Sequence, residues 1–367
     1  MSEIVLENRL YLGTSELLAL AAEGLKAMFI PERQAFCFTL KQSDQGMVRH
    51  GISKRYTIMT VLGLHRFANA GGISPIELRP VLDQLISDTT WIKGVGDLGL
   101  ILWLCAVVSP ENLAALSKRL RPLTALNRYS DARNMRTMEL AWFLTGLSLS
   151  AATGGAPGVL EEASIVFNLL ASNQGTSGLF GHLGRKRTMV GLVRGYIGSF
   201  ADQVYPIYAF TKFARVTGNQ ESVDRALACA AAICKLQGPK GEWWWHYDSD
   251  RGSVVESYPV YSVHQDGMAP MALLELGDFA GADFSTPIRK GLSWISGNND
   301  LNRDMRSEEF HVVWRNISVP RWNRYMSQLS HAISLSQPAK GTLSINFECR
   351  PYELGWALYA LASVPQV

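Results

Sequence analysis

The sequence is poor in the features that would assign it to a class early. It has only five cysteines in 367 residues, at Cys37, Cys105, Cys229, Cys234 and Cys349. Their number is odd, no two are spaced C-x-x-C and their neighbours are mostly apolar, which argues against a disulfide framework or a structural zinc site. They read as reduced packing residues. The longest uninterrupted apolar stretch, residues 98–108, is about half of the roughly 20 residues that a membrane-spanning helix needs. An excess of one charge is lacking too. Thirty-five Lys+Arg against 32 Asp+Glu leave a formal +3, too little and too evenly spread to imply a nucleic-acid partner. The start, Met1-Ser-Glu-Ile-Val-Leu-Glu-Asn-Arg, has acids where a secretory leader places its basic region, so the cytoplasm is the default expectation.

Cofactor signatures are missing as well. There is no H-E-x-x-H, no EF-hand spacing, and His246 and His264 stand too far apart in sequence to form a local metal pair. No P-loop or G-x-G-x-x-G follows a strand, and no G-x-S-x-G nucleophile elbow occurs. Neither a metal nor a cofactor is expected. No Pro/Ser-rich linker or charge block divides the chain, which favours one large domain over the two or three that length alone suggests.

What the sequence does contain is repetition. Three segments share acid-Leu-small-x-x-Leu, beginning at Asp97, Glu139 and Glu353, and each runs on as an almost wholly apolar stretch suited to a helix buried on all sides. A longer repeat starts at Gln174, whose Gln-x-x-x-Gly178-x-Phe180 recurs 63 residues later (237 − 174) as Gln237-x-x-x-Gly241-x-Trp243. Asp202 stands four residues before Pro206, and Asp266 four before Pro270. The two acids therefore read as equivalent positions in two copies of one unit.

With the segment from Tyr56, buried helices are expected near residues 56, 97, 139, 202, 266 and 353. Amphipathic stretches at 75–86, 110–120, 158–171, 221–235 and 287–295 supply outer partners. Residues 36–40 and 254–260 read as short strands. Six inner and about six outer helices in alternation predict an all-α chain forming an (α/α)6 toroid, with the inner N-termini converging at one mouth. The expected division is a lead-in (1–50), five hairpin units (51–284), a long loop-containing insertion (285–349) and the last inner helix (350–367).

Five acids at the starts of inner helices, Asp97, Glu139, Asp202, Asp266 and Glu353, would ring that mouth. An acid there also caps free backbone N–H groups and complements the helix dipole. The densest constellation is Trp243, Trp244, Trp245, His246, Tyr247 and Asp248, followed by Glu256, Tyr258, Tyr261, His264, Gln265 and Asp266. Flat rings suit sugar faces or cations, and a carboxylate beside an imidazole can transfer protons once burial shifts their pKa values. Asp266 and Asp202 are thus the expected general acid and base, with His264 and Tyr261 as alternative proton-transfer groups. Trp243, Trp244, Trp245, His246, Tyr258, Gln203 and Gln265 are expected to bind substrate. Arg55 with Tyr56, Arg133, Arg136, and Arg350 with Tyr352, together with Asp97, Glu139 and Glu353, complete the mouth, and the arginine fork favours carboxylate or phosphate. Arg185, Lys186 and Arg187, and the stretch containing Trp314, Arg315, Arg321 and Trp322, could add contacts.

Two families come into view on these residues. The hairpin pattern over residues 50–365 resembles the toroids of sugar-active enzymes: unsaturated glucuronyl hydrolases, related polysaccharide lyases, N-acylglucosamine epimerases and the helical domain of glucuronyl C5-epimerases. That resemblance implies a polar cleft with carboxylates, His or Tyr doing acid/base work. The Gln237-x-x-x-Gly241-x-Trp243 motif and its copy resemble the QW repeat of squalene-hopene and related terpene cyclases, which are also α-toroids, although D-x-D-D and D-D-x-x-D are absent. The leading expectation is an enzyme acting on a small-molecule or oligosaccharide substrate that is anionic, by hydrolase, lyase or epimerase chemistry. The alternatives are a terpene-cyclase-like enzyme, favoured by an apolar cavity, and a glycan-binding toroid without turnover.

Overall fold

The computed structural model describes residues 13–129, 135–155, 157–183, 195–319 and 343–362. Among the described residues, twelve helices of eight residues or more carry the architecture. In chain order they are α1 (Thr14–Met28), α2 (Lys54–Asn69), α3 (Leu78–Ser87), α4 (Val95–Val108), α5 (Pro110–Leu120), α6 (Thr137–Ala152), α7 (Val159–Ala171), α8 (Ala201–Thr217), α9 (Gln220–Lys235), α10 (Ala269–Ala280), α11 (Ser285–Ile295) and α12 (Pro351–Leu361). A π-helical turn, His264–Met268, leads directly into α10.

The even-numbered helices form the inner ring. Each packs on the next, α2 on α4, α4 on α6, α6 on α8, α8 on α10 and α10 on α12, and α12 closes the circle against α2. A helix in that position meets protein on every side, so it must be apolar all round. Accordingly α4 is buried from Val95 to Ala106 without a break. The odd-numbered helices bury one stripe only, as α3 does with Val81, Leu82 and Leu85. The small residue in acid-Leu-small has a packing cause: a Cβ at Gly99 would lie 2.4 Å from the α6 backbone at Trp142 and Phe143. Further down the barrel, Trp103 stacks on Trp356 and Tyr208, and the Tyr208 and Tyr359 hydroxyls meet at 2.6 Å. The ring is therefore plugged rather than open.

Short strands gather where the inner helices begin. Strand β2 (Ala35–Ser43) pairs antiparallel with β1 (Phe29–Ile30), β3 (Gly46–Ile52) and β12 (Glu348–Cys349), and β3 and β12 run straight into α2 and α12. β4 (Ile197–Ser199), β5 (His246–Asp248) and β6 (Ser253–Glu256) form a second sheet ahead of α8. β7 (Val260–Tyr261) leads to the π turn and pairs with β10 (Asn316–Ser318), which β11 (Ser344–Asn346) flanks. β8 (Arg306–Ser307) and β9 (Val312–Val313) make a separate ribbon. The lead-in is thus more than a lead-in: it supplies α1, the sixth outer helix, packed on α12, together with the β2–β3 hairpin. The 285–349 segment opens with an outer helix and continues through β8–β12; residues 320–342 within it lie outside the described residues.

The Gln-x-x-x-Gly repeat fixes how outer helices lean on one another. Gln174 donates from Nε2 to the carbonyls of Gly178 and Arg225, and Gln237 donates to those of Gly241 and Pro287. In both copies the amide closes a turn after one outer helix and grips the next. Gly178 and Gly241 sit at φ 86° and 98°, where a side chain is strained. Phe180 and Trp243 are fully buried behind them.

Candidate active site

A cavity of about 640 Å³ opens where the inner N-termini meet. Among the expected residues, Arg55, Tyr56, Trp245, His246, Tyr261, His264 and Tyr352 line it; none of the five ring acids does. The acids lie one layer behind, each against a neighbour from another element. Glu139 accepts from Arg55 Nη1 and Nη2 at 2.8 and 3.1 Å, and Asp97 accepts from Arg55 Nε and from the Lys93 N–H. Burial opposes the Arg55 charge, but Glu139 and Asp97 outweigh it and hold the guanidinium protonated. Arg55 also stands 5.2 Å over the Trp142 ring.

Asp202 is fully buried and accepts four hydrogen bonds: from the Met138 N–H (3.1 Å), from the Ser199 N–H and Oγ–H (2.9 Å each), and from His182 Nδ1 (2.9 Å). The Asp202 charge raises the His182 pKa above the usual 6.5, with the hydrogen bond adding to it. His246 repeats the arrangement one strand away. Its Nδ1 lies 2.6 Å from Glu256, and its strand position pairs with Ser199. Glu353 accepts from the Arg350 N–H at 2.9 Å and from Arg315 Nη1 at 3.1 Å, and burial pushes its pKa up to about 7. Arg315 also pairs with Glu348 at 3.2 Å and stands 5.1 Å over Tyr261.

His264 differs from the other two imidazoles. Burial lowers its pKa to about 3, against the pull of its hydrogen bond to the Trp243 carbonyl, so it is neutral, donates from Nδ1 at 3.3 Å and keeps Nε2 as an acceptor. Asp266 is buried close to Glu353. Desolvation and then that neighbouring charge raise its pKa well above the usual value, and its Oδ1 has no hydrogen-bond partner among the described residues.

The expected equivalence of Asp202 and Asp266 does not hold at the mouth. Gln203 accepts from the Phe180 N–H and donates to the Ser199 carbonyl; Gln265 accepts from the Trp243 N–H and donates to the Tyr261 carbonyl. These matching bonds align Gln203 with Gln265, and so Asp202 with His264. The π turn, with its wider winding, runs from His264 through Gln265 to Met268, ahead of Pro270, and shifts the register that the two prolines suggest.

Other expected ligands of the cavity turn out to hold the frame. Trp243 is core, stacked on Phe200; Trp244 donates from Nε1 to the Leu236 carbonyl; Tyr258 is buried with its hydroxyl on Asp300. Arg350 donates to the Tyr56 hydroxyl and pairs with Glu348. Arg136 is exposed at the rim, where its backbone bridges to Leu183. Arg133, Arg185, Lys186, Arg187, Arg321 and Trp322 lie outside the described residues. Sequence reasoning missed His182, Ser199, Met59, Met138, Trp142, Tyr205 and Met268 on the cavity wall. His182 had a signal: two residues beyond Phe180, it matches Trp245 two beyond Trp243, and both face the cavity.

Among the described residues no cluster of His, Cys, Asp and Glu could hold a metal ion, and no helix is long and apolar enough to cross a membrane. No family model matches the sequence, and no curated protein matches it. Solved structures do match in shape. A sugar epimerase from a ruminal bacterium superposes with a TM-score of 0.64 at 10% identity, covering 95% of this chain and 98% of that one. An unsaturated glucuronyl hydrolase from Streptococcus agalactiae gives 0.62 at 10% identity over 96% and 91%. A possible member of the GH105 family from Klebsiella pneumoniae subsp. pneumoniae MGH 78578 gives 0.62 at 14% identity over 95% and 92%. At these identities the likeness concerns architecture, and with the closed ring of six inner helices it makes this chain an (α/α)6 toroid.

Proposed function

We propose that this protein is an enzyme that moves protons on a carbohydrate bearing a carboxyl or carbonyl group, in the manner of an epimerase or isomerase. One observation carries the reading. Arg55, Arg315, His182 and His246 line the cavity, each backed by a buried carboxylate, while no Asp or Glu lines it among the described residues. Glycoside hydrolysis by the usual route needs two carboxyl groups flanking the bond, and here the carboxylates orient guanidinium and imidazole groups instead. Arg55 reaches from α2 to Glu139 on α6, and Asp202 accepts from the adjacent Met138 N–H, so the guanidinium and the His182–Asp202 pair are anchored at the same end of α6.

The chemistry follows from those positions. Asp97 and Glu139 take three of the five Arg55 N–H groups, leaving two for a ligand oxygen. Glu256 fixes the His246 ring through Nδ1 and leaves Nε2 to take a proton from the carbon beside the carbonyl or carboxyl group. The electron pair of that C–H bond moves onto the oxygen held by arginine, as an enolate. The His182 imidazolium then returns a proton to carbon, and neutral His264 accepts a hydrogen bond from a sugar hydroxyl. A sugar epimerase and glucuronyl hydrolases among proteins of the same fold are in keeping with a carbohydrate substrate.

The test is incubation with uronic acids, aldoses and their glycosides in heavy water, followed by proton NMR and mass spectrometry. Deuterium uptake at the carbon next to the carboxyl or carbonyl group, without cleavage, is the expected result. Cleavage without carbon-bound deuterium would replace the reading with hydrolysis, and unsaturated ends would replace it with elimination.

A further inference from the structure

The cavity has two layers. Four inner helical segments contribute lining residues in pairs four apart: Arg55 and Met59, Met138 and Trp142, Ala201 and Tyr205, His264 and Met268. Residues so spaced share a helix face about one turn, roughly 6 Å, apart. The upper layer, at the helix starts, carries the arginines and imidazoles. The lower layer is Met59, Trp142, Tyr205 and Met268, none of them charged, with the Arg55 guanidinium 5.2 Å over the Trp142 ring. It ends blindly, because the Trp356 Nε1–H donates to the Tyr205 hydroxyl at 2.9 Å and Trp103 stacks beneath Trp356.

Resting on the carbohydrate reading above, we infer that the substrate is a sugar with a bulky apolar substituent, an aryl or branched-alkyl aglycone, seated on this floor while the sugar stays among the arginines and imidazoles. A sugar ring pushed to the floor would strip water from its hydroxyls and offer them methionine and indole carbon, which costs free energy for every bond left unmade. An apolar group gains on the same move, and methionine adapts its shape to the group it meets. A volume near 640 Å³ is that of a drug-sized ligand, more than a single sugar ring fills. The same floor is what an isoprenoid would need. However, the two dyads and two arginines above it call for a polar head with several oxygens.

The measurement is calorimetric titration with matched pairs: glucuronic acid, galacturonic acid and glucose, each free and as its phenyl glycoside. At least one phenyl glycoside should bind tenfold or more tighter than its free sugar. Met59→Gln should cut that preference severalfold, with a melting curve to show that the variant folds and the free sugar as internal reference. Equal affinities within every pair overturn the inference and leave the carbohydrate reading standing. Binding of geranyl phosphate with no binding of any sugar or glycoside overturns both.

Discussion

His264 makes an unusual demand on stability at acid pH. Its ring lies 4.5 Å from Phe200, 5.2 Å from Tyr261 and 6.1 Å from Trp245. Burial among those rings is the main reason its pKa is about 3, and the charges of Arg315 and His246 push the same way. An unfolded chain takes up the proton near 6.5. The unfolded state therefore binds more protons below that value, and the stabilisation is complete above pH 6.5 and lost as pH falls toward 3. Each pH unit in that window costs about 1.4 kcal/mol, so the step from 6.5 to 4.5 removes roughly 3 kcal/mol, against a typical total of about 5–15 kcal/mol. Glu353 and Asp266, with raised folded values, gain stability over the same descent. A double difference removes them. Urea unfolding of the native protein and His264→Gln at pH 7 and pH 4.5 should show the gap moving by roughly 3 kcal/mol in favour of glutamine at the lower pH. A gap that stays constant within about 0.5 kcal/mol would mean that His264 titrates like a solvated imidazole and is not held neutral.

Two further outcomes follow from other bonds. Asp202→Asn removes the charge that raises the His182 pKa, so the alkaline limb of the pH–rate profile, where the imidazolium is lost, should move to lower pH. The rate at neutral pH should fall by about 10²-fold, and an unmoved limb would take His182 out of the proton transfer. Gln174→Ala removes three hydrogen bonds that lock outer helices, one of them accepted from Arg225, and Gln237→Ala removes two. Each should cost roughly 1–3 kcal/mol in urea unfolding, with Gly241→Ala costing more because a Cβ there would lie 2.1 Å from the Lys290 carbonyl.

The inner helices were legible because a helix buried on all sides has little choice of composition, and the amphipathic segments between them marked five outer partners. The sixth was not legible. α1 packs on α12 at the other end of the chain, so no local alternation of inner and outer segments announces it. The aromatic run was half legible for a similar reason. Trp243, Trp244 and Trp245 are neighbours in sequence but fill three environments, the core, the Leu236 carbonyl and the cavity wall.

The acids show where sequence reading runs out and what would extend it. Successive residues of a helix point about 100° apart, so of an acid and the residue before it, one faces the barrel axis more directly. In α6, α8 and α12 it is the residue before the acid: Met138 before Glu139, Ala201 before Asp202, Tyr352 before Glu353. In α4 the same place is Gly96, where a Cβ would collide with the Glu139 carboxylate. Each acid is thereby turned between helices, where it reaches a backbone N–H or basic group from a neighbouring element. α2 has no acid there, and its Arg55 stands in the axis-facing place and receives two of the others. The π turn alone breaks the rule: it puts His264 on the wall two residues before Asp266 and leaves that acid buried. Asp97, Glu139, Asp202 and Glu353 thus aim arginines and an imidazole, which is why a ring that reads as acidic in sequence surrounds a cavity lined by guanidinium and imidazole groups.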